Sequence, residues 1–166
     1  MKLHEYQAKQ LLSQYGVKSP KGIVVRDLKE AKEAIDDFGS NCVIKAQVHS
    51  GGRGKAGGIK LPFNREEAIK TVDQMLGMKL ITKQTGPEGL PVTSILIEEK
   101  IAIHREIYLS MSIDNSLGKV VILTCSSGGM DIEEIAESRP EEIQKVYVDP
   151  SCGFQGFQAR AIAFGL

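Results

Sequence analysis

The most constraining feature of the chain is residues 43–59, with the sequence VIKAQVHSGGRGKAGGI. Two short apolar runs flank a loop that holds five glycines and the cations Arg53 and Lys55, and Lys45 lies in the first run. Glycine lets backbone N–H groups turn toward an anion at little steric cost, and the cations add attraction. The stretch therefore predicts a strand–loop–strand hairpin that binds polyphosphate. The alternative is a flexible surface hairpin with incidental cations.

Three well-known phosphate motifs do not fit this loop. The spacing of Gly52, Gly54 and Gly57 matches the dinucleotide fingerprint G-x-G-x-x-G, but that motif needs a helix directly afterwards, and Pro62 opposes one. No Gly-Lys-Ser/Thr ends the loop, which excludes the Walker A motif. A kinase lysine follows its glycine loop, whereas Lys45 precedes this one. The remaining pattern is strand, lysine, glycine-rich hairpin, strand.

Composition narrows the class of protein. The 166 residues carry 21 Lys and Arg against 21 Asp and Glu, whereas a general nucleic-acid binder would be more basic. No apolar run reaches the length of a membrane span, and the N-terminus has no signal-peptide core. Three separated cysteines form no paired metal motif and suit a reducing compartment. We therefore expect a cytosolic protein without nucleic-acid or membrane partners.

Hydrophobic periodicity predicts the order of elements. Helical spacing predicts helices at residues 3–15, 27–39 and 64–77, and others that begin near 131 and 155. Extended runs predict strands at residues 23–25, 42–48, 59–61, 94–98, 103–113, 119–124 and 146–148. Asp27 and Asn64 are predicted helix caps. The alternation up to about residue 100 indicates a small α/β lobe, and the longer runs beyond it indicate a second lobe.

A second cluster of candidate residues lies where the pattern changes. Glu98 ends an apolar strand, and Glu106 lies on the next predicted strand. Backbone groups of a strand that ends between two lobes can pair with an adenine edge, and a nearby carboxylate can accept hydrogen bonds from ribose hydroxyls. The alternative is that Glu98 and Glu99 are solvated, and that Glu106 pairs with Arg105 or Lys100.

Four segments carry a resemblance to a known family. They are residues 3–9 (LHEYQAK), 43–58, 97–98 and 106–109. Each resembles the β subunit of succinate–CoA ligase, also called succinyl-CoA synthetase. The similarity covers essentially the whole chain, and the first two segments are highly specific.

The resemblance implies an ATP-grasp fold of the α/β (α+β) class, with the small lobe complete and the second lobe partial. Residues 1–20 would form an N-terminal helix that packs on the second lobe. Residues 21–102 would form the small lobe, and residues 103–166 part of the second. The implied nucleotide-binding residues are Lys45, Gly52, Arg53, Gly54, Glu98, Ile101 and Glu106. Lys45 and the Arg53 loop would hold the phosphates, residues 98–101 the base, and Glu106 the ribose.

The family couples ATP hydrolysis or synthesis to the formation or cleavage of succinyl-CoA in the tricarboxylic acid cycle. A phosphohistidine on the partner α subunit carries the phosphoryl group, and Mg²⁺ assists. The family's Mg²⁺ ligands and C-terminal domain are expected beyond Leu166, so the chain resembles an N-terminal fragment that is inactive as a ligase by itself. The family often has Glu at the position of Ser127. At the position of Pro20 the chain is more similar to the ATP-preferring members than to the GTP-preferring ones. The alternatives are a malate–CoA ligase fragment and a non-catalytic nucleotide-binding module.

Overall fold

The computed structural model describes residues 2–39 and 41–166 and contains two compact units, Met1–Ile101 and Ala102–Leu166. The elements of the first unit are α1 (Glu5–Gln14), β1 (Gly22–Val25), α2 (Leu28–Phe38), β2 (Cys42–Ala46), β3 (Ile59–Lys60), α3 (Arg65–Met75), β4 (Lys79–Leu80), β5 (Leu90–Pro91) and β6 (Ile95–Glu99). Those of the second unit are β7 (Tyr108–Asp114), β8 (Lys119–Cys125), α4 (Ile132–Ser138), a 3-10 turn (Pro140–Glu142), β9 (Gln144–Val148) and α5 (Gly156–Gly165).

The first unit is built on an antiparallel sheet in the order β1-β6-β2-β3. Side chains alternate between the two faces of a strand, so Ile44 and its partner Ile97 face one side and Lys45 faces the other. Helices α2 and α3 cover the Ile44 side, and their buried residues join one apolar core with the sheet. Glu98 lies on the same face as Lys45. This second face therefore carries both Lys45 and Glu98, two of the predicted site residues.

Side-chain caps set the starts of α2 and α3, as the sequence predicts. The backbone N–H of Glu67 donates to Asn64 Oδ1 at 2.8 Å, and the N–H of Glu30 donates to Asp27 Oδ1 at 2.8 Å. Glu67 also accepts a hydrogen bond from the N–H of Phe63 at 2.6 Å. Each bond satisfies a donor that has no partner inside the helix.

Removal of the α3 cap has a predictable cost. We expect Asn64→Ala to lower the free energy of unfolding by about 1 kcal/mol, because the N–H of Glu67 loses its acceptor. Asn64→Asp keeps an acceptor at the same position and should retain most of the stability. Urea unfolding of the three proteins measures the difference. Equal stability of Asn64→Ala and the parent would show that this cap does not contribute.

The second unit contains an antiparallel sheet in the order β7-β8-β9. Its small core joins Ile122 and Val148 of the sheet to Ile162 of α5. β7 begins at Tyr108, so the predicted strand over residues 103–113 was too long at its start. Just before β7, the N–H of Gly128 donates to the carbonyl of Glu106 at 3.1 Å, and a loop contact replaces strand pairing there.

The first unit ends at Ile101, one residue before the predicted end of the small lobe at residue 102. Helix α1 is part of this first unit. Packing of α1 on the second lobe stays a prediction. The two-residue strands β4 and β5, which pair Leu80 with Leu90, were not predicted because they are too short for a periodic signal. None of the helices within residues 2–39 and 41–166 is long and apolar enough to cross a bilayer.

Candidate functional site

The glycine-rich loop connects β2 to β3, and the register pairs Lys45 with Ile59 as expected for a hairpin. Backbone hydrogen bonds hold the loop in a compact shape. The N–H of Gly58 donates to the carbonyl of Arg53 at 2.7 Å, and the carbonyl of Gly58 accepts from Ala46 N–H at 2.8 Å. The loop therefore brings the backbone of Arg53 close to the end of β2.

Lys45 and Arg53 converge on one carboxylate. Glu5 Oε1 lies 3.2 Å from Lys45 Nζ, and Glu5 Oε2 lies 2.6 Å from a terminal guanidinium nitrogen of Arg53. The other terminal nitrogen of Arg53 donates to the carbonyl of Ala46 at 2.7 Å, which fixes the direction of the guanidinium. The two cations that the sequence assigns to phosphate thus lie within reach of a single anion.

Two further charges complete this group. Glu98 Oε2 lies 2.5 Å from Lys45 Nζ, and Glu98 Oε1 pairs with Lys9 Nζ. Lys9 Nζ also lies 2.9 Å from Glu5 Oε1. We call Glu5, Lys9, Lys45, Arg53 and Glu98 the charge cluster; its three cations and two anions leave a net charge of +1.

Glu98 is the buried member of the charge cluster. Its side chain is 2% exposed, whereas that of Lys45 is 18% exposed. A buried carboxylate needs paired charges to offset its lost hydration, and Lys9 and Lys45 supply them. The interpretation of Glu98 as a solvated residue is therefore wrong. The carboxylate of neighbouring Glu99 instead accepts a hydrogen bond from the backbone N–H of Lys21 at 2.9 Å.

The charge cluster shifts the pKa values of both α1 residues. Partial burial by itself would raise the pKa of Glu5, but the hydrogen bond from Lys9 and the charges of Lys45 and Arg53 outweigh it and lower the pKa to about 2. Burial likewise opposes the charge of Lys9, but hydrogen bonds to Glu98 and Glu5 raise the pKa of Lys9 above its usual value. Both residues are therefore ionised at neutral pH.

The lowered pKa of Glu5 predicts an acid-sensitive attachment of α1. A carboxyl group whose pKa is lower in the folded state contributes stability above its ordinary pKa, 4.5, and loses it as the pH falls toward about 2. The full shift corresponds to about 3 kcal/mol, and solvent screening of this partly exposed group reduces that to roughly 1–2 kcal/mol.

The measurement is urea unfolding of the parent and Glu5→Gln at several values between pH 5 and pH 2. Other carboxylates lose stability over the same range, so the informative quantity is the difference between the two proteins. We expect this difference to shrink as the pH falls. A difference that does not change with pH would contradict the role assigned to the Glu5 carboxylate.

Polar groups connect helix α1 to the rest of the first unit. The N–H of Tyr6 donates to the buried side chain of Gln47 at 3.3 Å, and the rings of His4 and His49 stack with centroids 3.9 Å apart. Across Glu5–Gln14, all of which the structure describes, no residue is buried. Sequence reasoning missed Glu5 and Lys9 as members of the site. Their spacing of four residues on a helix and their place in the LHEYQAK segment were the available signals.

The remaining predicted site residues are distributed over both units. Gly52 and Gly54 lie in the glycine-rich loop, and Ile101 is an exposed residue that follows β6. Glu106 belongs to the second unit, where the chain at Gly128 packs directly against its backbone. The loop around Gly128 therefore contacts the segment that carries Glu106.

Two openings in the first unit flank the charge cluster. One, of about 380 Å³, is lined by residues that include Lys9, Pro20 and Glu98. The other, of about 400 Å³, is lined by residues that include Glu5 and Arg53. Lys9 and Glu98 thus line one opening and Glu5 and Arg53 the other, so four of the five members of the charge cluster border an opening.

The sheet, its covering helices and the charge cluster define an α+β protein with a candidate anion site. A family model described as the ATP-grasp domain matches residues 2–166, and the chain belongs to that family. The β subunit of succinate–CoA ligase [ADP-forming] from Halalkalibacterium halodurans is 50% identical over an alignment 167 residues long that covers 100% of this chain and 43% of that protein. The corresponding subunit from Nautilia profundicola gives the same identity and shares. The chain thus spans about 43% of the length of these relatives.

Solved structures share the fold at low sequence identity. A Pyrococcus horikoshii protein superposes with a TM-score of 0.72 at 22% identity, over 96% of this chain and 63% of that one. ATP citrate lyase from Methanothrix soehngenii gives a TM-score of 0.68 at 20% identity, over 92% of this chain and 36% of that one. The ATP-grasp fold expected from the sequence is confirmed.

Proposed function

We propose that the chain is the nucleotide-binding portion of a succinate–CoA ligase β subunit and holds the phosphates of ATP or ADP with Lys45 and Arg53. One observation carries this proposal: both cations reach the same carboxylate, at 3.2 and 2.6 Å. A phosphate group presents oxygens at a similar spacing, and hydrogen bonds between ionised groups are the stronger ones. The relatives that are 50% identical and named as ADP-forming subunits support the choice of adenine nucleotide.

The other predicted site residues are assigned to the remaining parts of the nucleotide. Backbone groups of Gly52 and Gly54 contact the phosphates, Glu98 to Ile101 form the segment that recognises the base, and Glu106 binds the ribose. Pro20, which lines the opening beside Glu98, favours ATP over GTP in this proposal. Each of these roles is a proposal for the complete subunit.

In the complete subunit, bound nucleotide exchanges its phosphoryl group with a phosphohistidine on the α subunit, and succinyl-CoA is formed or cleaved. Phosphoryl transfer depends mainly on positioning and on neutralisation of charge. Lys45 and Arg53 would do both at the phosphates. Mg²⁺, when bound, would neutralise further charge; among residues 2–39 and 41–166 no group of three or more His, Cys, Asp or Glu side chains could hold it.

The relatives reported above are named for succinate, which favours succinate over malate as the acid. A cytosolic location is proposed on the free thiols of Cys42, Cys125 and Cys152, since a reducing compartment keeps thiols unpaired.

Calorimetric titration of the 166-residue chain with ADP, AMP and adenosine tests the function. We expect affinity to fall in that order, because each phosphate removed takes away contacts with the two cations. The absence of binding by millimolar ADP to a chain that circular dichroism shows to be folded would overturn the proposal. Equal affinity for ADP and adenosine would overturn the assignment of Lys45 and Arg53 to phosphate.

A further inference from the structure

Helix α1 contributes two opposite charges to the phosphate site, although it lies outside the glycine-rich loop. Glu5 bridges Lys45 and Arg53, and Lys9 pairs with the buried Glu98. The cations assigned to phosphate are therefore already engaged by carboxylates. A phosphate group that binds these cations must therefore compete with the carboxylates that already pair with them.

We propose that α1 sets the phosphate affinity of the site through these two charges. Glu5 is the resident anion that phosphate must displace, and Lys9 neutralises Glu98 and so leaves the charge of Lys45 available to phosphate. The inference rests on the proposed function, because it concerns the same nucleotide site.

The competing role of Glu5 follows from its contacts. Both of its oxygens face cations, with Oε1 shared between Lys9 and Lys45 and Oε2 placed 2.6 Å from Arg53. A phosphate that binds both Lys45 and Arg53 needs the positions these oxygens hold. The low pKa of Glu5 keeps the carboxylate ionised throughout the physiological pH range, so this competition does not depend on pH there.

The role of Lys9 follows from the burial of Glu98. One oxygen of this 2%-exposed carboxylate pairs with Lys9 and the other with Lys45. Without Lys9, Lys45 would be the one charged partner of Glu98 among the described residues. The net charge of the charge cluster would fall from +1 to 0. Loss of the Glu5 charge would raise it from +1 to +2. The two changes therefore act on phosphate in opposite directions.

The test compares ADP, AMP and adenosine binding by calorimetry to Glu5→Gln, Lys9→Met and the double variant of the 166-residue chain. We expect Glu5→Gln to tighten ADP binding and Lys9→Met to weaken it, each by roughly three- to tenfold. Both effects should be smaller for AMP and absent for adenosine. In the double variant two cations face one anion, the net charge is again +1, and the ADP affinity should return toward that of the parent.

Matched controls make the same changes in formal charge on α2, which covers the opposite face of the sheet. Glu33→Gln and Lys29→Met replace exposed residues there and should leave ADP affinity unchanged. Thermal unfolding by circular dichroism verifies that each variant is folded. If Lys9→Met does not fold, the double variant and Lys9→Gln supply the comparison.

The possible outcomes distinguish a failure of this inference from a failure of the proposed function. If both single variants weaken ADP and the double variant is weaker still, α1 supports the site only structurally and the inference is overturned while the function stands. Equal effects on ADP and adenosine would overturn it in the same way. If the parent itself does not bind ADP, the proposed function fails and this inference fails with it.

Discussion

Replacement of both Lys45 and Arg53 with alanine is expected to weaken ADP binding by roughly a hundred- to ten-thousandfold. Each hydrogen bond to a charged group contributes about 1.5–3 kcal/mol, and the two side chains supply the cations that converge at Glu5. Adenosine affinity should fall much less, because adenosine has no phosphate to lose contacts with the two cations, although Lys45→Ala also removes one charged partner of Glu98. Calorimetric titration with ADP and adenosine measures both effects.

The matched control is the double variant Lys55→Ala with Lys60→Ala. It removes two positive charges from the same hairpin but not from the charge cluster. We expect it to lower ADP affinity only slightly, and more at low salt than at high salt. If both double variants weaken ADP equally, the loop attracts phosphate by its overall charge, and the specific roles of Lys45 and Arg53 are wrong.

The second large effect is expected at Gly128. A Cβ atom there would lie 2.5 Å from the carbonyl carbon of Glu106 and 2.6 Å from the nitrogen of Ile107. Backbone atoms cannot rotate away as side-chain atoms can, so we expect Gly128→Ala to cost about 3 kcal/mol, the upper end of the range for overpacking. The second unit has a small core, with three buried apolar residues in its described cluster, so it should unfold partly or become strongly destabilised.

Hydrogen exchange resolved by mass spectrometry measures this effect separately in the two units. Faster exchange should appear in β7 and β8, while the first unit keeps its protection. Gly156→Ala is the matched control, because Gly156 is the first residue of α5 and alanine favours a helix. Unchanged protection of β7 and β8 in Gly128→Ala would show that the loop does not support the Glu106 segment.

Local patterns in the sequence were sufficient for most of the elements. Asp27 and Asn64 cap the predicted helices, because a capping side chain acts within three residues of its own position. The hairpin around Arg53 followed from a glycine-rich loop between two apolar runs. Its register, with Lys45 opposite Ile59, agrees with that prediction. Errors occurred where tertiary contacts replace the local pattern, as before Tyr108, where Glu106 bonds to Gly128.

The site was predicted only in part, and the reason is the distance along the chain between its members. Lys45 and Arg53 stood out because they lie within or beside one glycine-rich stretch. Glu98 was correctly predicted to lie near the end of a strand. Its charge partners were not predicted, since Lys9 is separated from it by 89 positions. A single sequence carries no physical signal of a pairing over that separation. The pairing of Glu5 with both Lys45 and Arg53 was likewise not predicted.

The sequence by itself determined most of the elements, the hairpin and the residue types suited to phosphate, because these depend on interactions between near neighbours. The resemblance in LHEYQAK and the glycine-rich stretch identified the family. The tertiary structure decided which charges meet. It placed β2 beside β6, which brings Lys45 and Glu98 to one face, and set α1 against that face with Glu5 and Lys9. Burial of Glu98 then requires this balance of charge, because a carboxylate without water must be paired.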